Sequence, residues 1–351
     1  MINPGAELEK MLSETGISRK ELSQRINVSE KHICTVINGR KGISSDFARK
    51  LGYIFKDTAY WLNLQAKYDE EQIREKEKYS ISEEEIQLLK PLHDITDYFV
   101  EQGYMHNDCG DVAIVLQLRE LLGVSDLLFI PNVTYNAAYR AQLSTNIKVN
   151  PYVLFAWQRL CEKETEKITI SETLNKKKLQ NFIPKIKSMM FGSIEDGISD
   201  LQNIFADCGI AFQVVKNFRG APVQGFIKET SNGRLILCLT IRGKRADRFW
   251  FTLFHEIAHI LNGDYKNRFV DFDSVQGEAE IIADTYARDT LIDSEDYKNF
   301  IHSDKFLSWI GIKRFAEKIN VQPFIVLGRL QNDGLLEWSD YADKVEYYSW
   351  A

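Results

Sequence analysis

The spacing of apolar residues divides this chain into three regimes. In residues 1–68, short amphipathic stretches alternate with small polar turns. Ser18 with Glu21 three residues on is a capping-box pattern, and it predicts a helix running to Ile26. Asn27 and Val28 make a short turn, and Ser29 caps a second helix that ends at Asn38 and Gly39. Leu22, Ile26, Val28, Ile33, Val36 and Ile37 have the spacing of a shared core. Two short helices joined by so tight a turn, the second polar and basic, form a helix-turn-helix pattern. In the second regime, residues 69–190, the run from Asp69 to Lys78 reads as a charged helix or linker. Ile86–Gln102, Cys109–Leu122, Pro151–Glu164 and Leu174–Ser188 then read as helices. The third regime, residues 191–351, holds three strand-like stretches, Ala211–Val215, Val223–Lys228 and Leu235–Thr240, punctuated by Gly209, Gly220 and Gly233. A strongly apolar helix follows, then a second helix opening near Gly277, and a closing pair at Ile312–Ile319 and Phe324–Gln331. The expected class is α+β and mostly helical: an all-α head (1–68), a helical middle (69–190) and a domain with a small sheet (191–351).

The chemistry lies in the apolar helix, within His255-Glu256-Ile257-Ala258-His259. Positions i and i+4 share a helix face, so His255 and His259 can aim two imidazoles at one metal ion. Glu256 then lies within reach of a water at that ion. This is the zinc-peptidase arrangement, in which a carboxylate takes the proton from the attacking water. Only six His occur in 351 residues, so chance seldom produces the motif. Phe249, Phe251, Leu253, Phe254, Ile257, Ile260 and Leu261 surround it with apolar side chains, the mark of a buried helix. Buried His need partners; a metal is one solution and hydrogen bonds within the core are the other.

A catalytic zinc site takes a third protein ligand and keeps a fourth position open. The next helix contains Glu280 and Asp284, again at i and i+4, and Glu280 follows His259 by a span that suits one turnaround loop. Glu280 is assigned as the third ligand. Asp284 then accepts the free N–H of a liganding His and fixes its tautomer. Ala283 and Ala287 are small enough for this helix to pack closely on the first. Glu278 is the competing ligand, but it points about 200° away around the helix and has Ile282, not an acid, at i+4. The stabiliser of the oxyanion is left open among Arg242, Lys244, Tyr265 and Tyr286.

Charge sharpens the picture of the head. Residues 1–68 contain eleven Lys and Arg against seven acidic residues, whereas the whole chain carries a net −6. A basic module on an acidic body is a common footprint of DNA binding. Lys31, His32 and Thr35 are expected to face base edges, and Gln24, Asn38, Arg40 and Lys41 to contact phosphates. The excess of four is modest, and a homodimer spanning two half-sites would compensate. A small bundle that binds only protein is the alternative. The five Cys are scattered without a C-x-x-C pair, and no apolar run reaches transmembrane length. A cytoplasmic protein with no membrane partner and no signal peptide is therefore expected.

Two resemblances add to this reading. Arg248 through Ile260, followed by Glu280, Ala283, Asp284, Tyr286, Ala287 and the Leu291-Ile292 pair, resembles the ImmA/IrrE family of metallopeptidases. The tail from Phe324 to Leu335 is similar to that of its longer members. The likeness implies a gluzincin-like site with His255, His259 and Glu280 on Zn2+ and Glu256 as base. It also implies a regulatory protease that cleaves a repressor. Ala258, Asp284 and Asp293 depart from the common Gly, Asn and Pro. Arg140 and Trp157 look like landmarks of the longer members. The head, with Trp61-Leu62-Asn63-Leu64-Gln65-Ala66 and Tyr68 after the second helix, resembles the XRE-type domain of HigA-like antitoxins. That implies a five-helix layout, an operator and a toxin partner. Two functions follow. One is a DNA-binding regulator whose peptidase half cleaves itself or a partner regulator to relieve repression. The other is a non-catalytic antitoxin-like repressor whose peptidase-like half only senses or binds.

Overall fold

The computed structural model describes residues 2–107, 110–133, 149–170, 173–230, 233–241, 243–267 and 277–348. They fall into two compact units, residues 1–86 with 109–116, and residues 87–108 with 117–351. The fold is α+β and mostly helical, with one three-stranded sheet among the described residues. Arg140 lies outside them.

The first unit opens with five helices: α1 (Pro4–Thr15), α2 (Arg19–Ile26), α3 (Glu30–Ile37), α4 (Ser45–Leu51) and α5 (Thr58–Lys78). Their starts are set by side-chain caps. Ser18 accepts from Glu21 N–H at 3.1 Å, Ser29 from His32 N–H at 3.3 Å and Asp57 from Tyr60 N–H at 2.7 Å. Asn27, at φ 50°, makes the left-handed residue of the turn between α2 and α3. Leu8, Leu22, Ile33, Phe47, Leu51 and Trp61 form the centre of the core, each at most 2% exposed. The expected edge of the head at residue 68 falls inside α5. Residues 69–78 are good helix formers with no Gly or Pro to stop them, and Arg74–Glu70 and Lys78–Glu75 pairs brace the extension.

The remaining helices are α6 (Glu83–Gln87), α7 (Leu89–Glu101), α8 (Asp111–Leu122), α9 (Ile130–Val133), α10 (Pro151–Glu166), α11 (Lys176–Ser188), α12 (Ile194–Asp207), α13 (Ala246–Asn262), α14 (Glu278–Leu291), α15 (Ser294–Ile301), α16 (Trp309–Lys318) and α17 (Pro323–Asn332). The sheet consists of β1 (Ile210–Val214), β2 (Gly225–Glu229) and β3 (Leu235–Leu239), in the order β1-β3-β2. β3 runs parallel to β1, with Ile210 opposite Leu235, and antiparallel to β2, with Gly225 opposite Leu239. Every residue of β3 is buried, as a central strand covered on both faces requires. β2 is an edge, and its last residue, Glu229, is exposed.

α13 is the spine of the second unit. Phe249, Trp250, Leu253, Phe254 and Ile257 are buried along it, in one core with β1, β3, α12 and the C-terminal helices. Leu179 and Ile186 of α11 enter the same core, so it reaches upstream of residue 191, where the sequence reading began the domain. Trp157 on α10 is fully buried. Its indole N–H donates to the Lys216 carbonyl at 3.1 Å, and its ring meets Phe226 of β2 edge-on. The last residues close over α13: Trp250 Nε1 donates to Tyr348 Oη at 2.7 Å, and burial lifts that phenol to about 12. Asp293, where the resemblance has Pro, caps α15 by accepting from Glu295 and Asp296 N–H.

Candidate metal centre and nucleic-acid interface

α13 and α14 pack against each other through small residues, with Ala283 and Ala287 of α14 at 0% and 2% exposure. This close contact brings Glu280 to the His pair. His255 Nε2 and His259 Nε2 lie 3.0 Å apart, and Glu280 Oε2 lies 3.2 Å from the first and 3.8 Å from the second. His255, Glu256 and His259 are 8%, 1% and 0% exposed. The three ligand atoms form a group that could hold a metal ion. Glu278, the alternative ligand, is exposed at the start of α14.

The far side of each imidazole settles what its near side offers. His255 Nδ1 faces Asp284 Oδ1 at 2.8 Å, and His259 Nδ1 faces Asp264 Oδ1 at 2.9 Å. A carboxylate accepts a hydrogen bond and offers none, so with a cation between the rings each Nδ1 donates outward and each Nε2 turns its lone pair inward. The hydrogen bond from His255 holds the Asp284 carboxyl below its ordinary range, against the opposing effect of burial. Two nitrogen lone pairs and a carboxylate oxygen therefore converge in a buried space. Such a set repels itself and suits a cation. Nitrogens bound to one tetrahedral zinc at about 2.0–2.1 Å lie roughly 3.3 Å apart, close to the spacing here. The donor set fits the metal that the motif implies.

Asp284 stands where the i,i+4 pattern put it. Asp264 escaped that pattern. α13 ends at Gly263, whose φ of 84° is a left-handed cap, and the chain turns at once into a short 3-10 helix that starts with Asp264. The signal available was an acid directly after the capping Gly.

Glu256 sits against the start of β2. Its Oε1 is buried without a hydrogen-bond partner, and a Cβ built on Gly225 would lie 1.9 Å from it. Only Gly leaves room for the carboxylate there. Gln224, one residue earlier, accepts from Thr252 Oγ1 at 2.9 Å. A cleft of about 440 Å³ opens beside His255 and Glu280 and extends past Thr252, Arg288 and Arg329. Of the oxyanion candidates, Arg242 lies outside the described residues, and Lys244, Tyr265 and Tyr286 are absent from the described lining of the cleft. Tyr265 is buried beside Lys176, and Tyr286, two residues from Asp284, is carried around α14 onto the core.

The surface of α3 is of another kind. Lys31, Asn38, Arg40, Lys41 and Gln24 are exposed. Some cations of the head are tied to acids, as in Arg19–Glu9, Arg25–Glu21 and Lys50–Asp46; Lys31, Arg40 and Lys41 are among those with no ion pair among the described residues. Two of the expected base readers are partly engaged elsewhere. The His32 ring meets Phe47 edge-on at 5.1 Å, and Thr35 Oγ1 donates to the Lys31 carbonyl at 2.5 Å. Four described Cys are free thiols, Cys161, Cys208 and Cys238 buried and Cys34 half-buried. No helix among the described residues is long and apolar enough to cross a membrane.

No family model matches the chain. Among characterised proteins it is similar to virulence-associated protein A' of Dichelobacter nodosus, 37% identical over 75 residues, which are 21% of this chain and 65% of that protein. It is also similar to virulence-associated protein I of the same organism, 35% identical over 83 residues, 23% of this chain and 76% of that one. The chain belongs to the family of virulence-associated protein I. It spans just under two thirds of the length of the A' protein, and neither name states a ligand or a reaction.

Proposed function

We propose that this chain is a DNA-binding regulator with a zinc-dependent endopeptidase half that cleaves the chain itself or a partner regulator to relieve repression. The observation that carries the reading is the Glu256 carboxylate, buried with an unpartnered oxygen against Gly225, on the residue that follows His255 in α13. A domain that only bound a partner would need the ligands but has no use for a desolvated base next to them.

His255, His259 and Glu280 would hold the ion, with Asp284 and Asp264 fixing the rings. Zinc bound there would act as a Lewis acid and lower the pKa of a coordinated water to about 7. Glu256 takes the proton of the attacking water and returns it to the leaving amine. Its fixed seat against Gly225 means that no side-chain reorganisation precedes proton transfer. β2 is an edge strand that starts at this seat, and it would hold an extended peptide by backbone hydrogen bonds. In the head, Arg40 and Lys41 supply phosphate contacts around α3 and Lys31 faces the base edges.

The test is Glu256→Gln in the full chain. Gln is nearly isosteric and Glu256 is not a ligand, so zinc content and DNA binding should stay. Proteolysis should fall by about 10²–10⁴-fold, and derepression should be lost with it. Normal derepression in that variant would overturn cleavage as the switch and put the binding-only regulator in its place.

A further inference from the structure

The cleft continues well past the triad, and its far end is lined by arginines. On α14, Glu280, Asp284 and Arg288 follow one another at i, i+4 and i+8, so a single stripe carries a ligand, the partner of His255 and then a guanidinium. At 1.5 Å per residue, Arg288 lies about 12 Å along the helix from Glu280. On α13, Arg248 precedes His255 by two turns, about 10 Å. Both Arg line the same cavity, so both stand on one side of the triad. Arg329 of α17 completes the wall.

The acids of the cleft are already committed. Asp247 is gripped by Arg245 through two hydrogen bonds of 2.9 and 3.1 Å, Asp284 holds His255, and Glu280 belongs to the triad. The arginines are not matched in the same way. Arg248 and Arg288 have no ion pair among the described residues. Arg329 donates through Nε to Asp333, but its Nη1 is buried without a hydrogen-bond partner. Trp338 lies beside them, half exposed, with the Arg248 guanidinium 5.5 Å from its ring centre. An aromatic wall next to two guanidinium groups without an ion pair, Arg288 half-buried and Arg248 exposed, is a place where a carboxylate exchanges water for charge-assisted hydrogen bonds.

We propose that this end of the cleft is a carboxylate-binding subsite and that the peptide cleaved here presents an acidic group to Arg288 and Arg248. The proposal rests on the peptidase reading above and adds the substrate class. An extended peptide advances about 3.3 Å per residue, so the acidic group lies about three residues from the scissile bond. A Glu or Asp side chain and a free C-terminal carboxylate share the required chemistry.

The experiment uses the full chain carrying Glu256→Gln, loaded with zinc, so that peptides bind without being cut. Three fluorescent peptides on one Ala and Leu framework separate the sources. One has an internal Glu and an amidated end, one has Gln and a free C-terminal carboxylate, and one has Gln and an amidated end. Anisotropy should show one or both carboxylate peptides binding roughly tenfold or more tightly than the neutral one, with the preference shrinking as salt rises. Adding Arg248→Gln and Arg288→Gln should erase the preference while zinc content and the thermal melt stay as before. Equal binding of all three peptides overturns the subsite and leaves the peptidase reading standing. Binding of none overturns both, and a preference that survives the double Arg substitution overturns these residues as its source.

Discussion

The triad and the face of α3 make different demands on their surroundings. At the triad, His259 is fully buried and every polar atom must find a partner inside the protein. The geometry therefore becomes a set of statements about tautomers and lone pairs, each of which can fail. At α3, Lys31, Arg40 and Lys41 are exposed and solvent can satisfy them, so their arrangement makes no such demand on its neighbours. Burial makes chemistry legible because unsatisfied groups are costly inside and cheap outside.

The sharpest way to break the contrast is His259→Ala. Zinc content should fall from about one equivalent per chain to none, measured by elemental analysis, whereas Glu278→Gln should leave it unchanged. Retention of the metal in the His variant would move the site elsewhere. Next is Gly225→Ala. The added Cβ meets Glu256 Oε1 at 1.9 Å, so the base must shift. Displacement of this size costs on the order of 10²-fold in rate, with zinc still bound. Full peptidase activity in that variant would mean that the observed seat of Glu256 is not the working one. Asp264→Ala should weaken zinc affinity by about 10–100-fold, as read by competition with a chelator. An unchanged affinity would remove Asp264 from the site. On the exposed side, Ser29→Ala removes the cap of α3 and should cost about 1 kcal/mol of stability, seen in denaturant unfolding of the first unit. Smallest is Lys41→Ala, which should reduce the salt slope of DNA binding by about one and leave zinc untouched. A slope that does not change would take Lys41 off the phosphate path.

The sequence was readable where a regular period connects residues. His255 with His259 and Glu280 with Asp284 are i,i+4 pairs, and the structure joins them. The caps Ser18 and Ser29 mark helix starts by the same local logic, and the three strands fall within about two residues of their apolar runs. Other features follow no period. Asp264 acts from beyond a helix end, after a left-handed Gly. Gly225 matters through the space it leaves, and a missing side chain gives no signal in one sequence. The order β1-β3-β2 depends on which short apolar strand is covered on both faces, and the three runs look alike. Arg288 was open to the argument that found Asp284, carried one turn further along α14. The boundary at residue 68 followed a change in charge, but charge does not end a helix of good helix formers, and α5 continues to Lys78.

The triad draws its ligands from two helices, with their orienting acids on α14 and on the turn after α13. An ion held there is also a cross-link. It binds the folded arrangement and finds no such site in the unfolded chain, so its binding free energy adds to folding. At a free ion concentration one hundred times the dissociation constant, the gain is about 2.7 kcal/mol. Metal supply would therefore set how firmly α14 stays docked on α13, and through that how long the chain survives proteolysis.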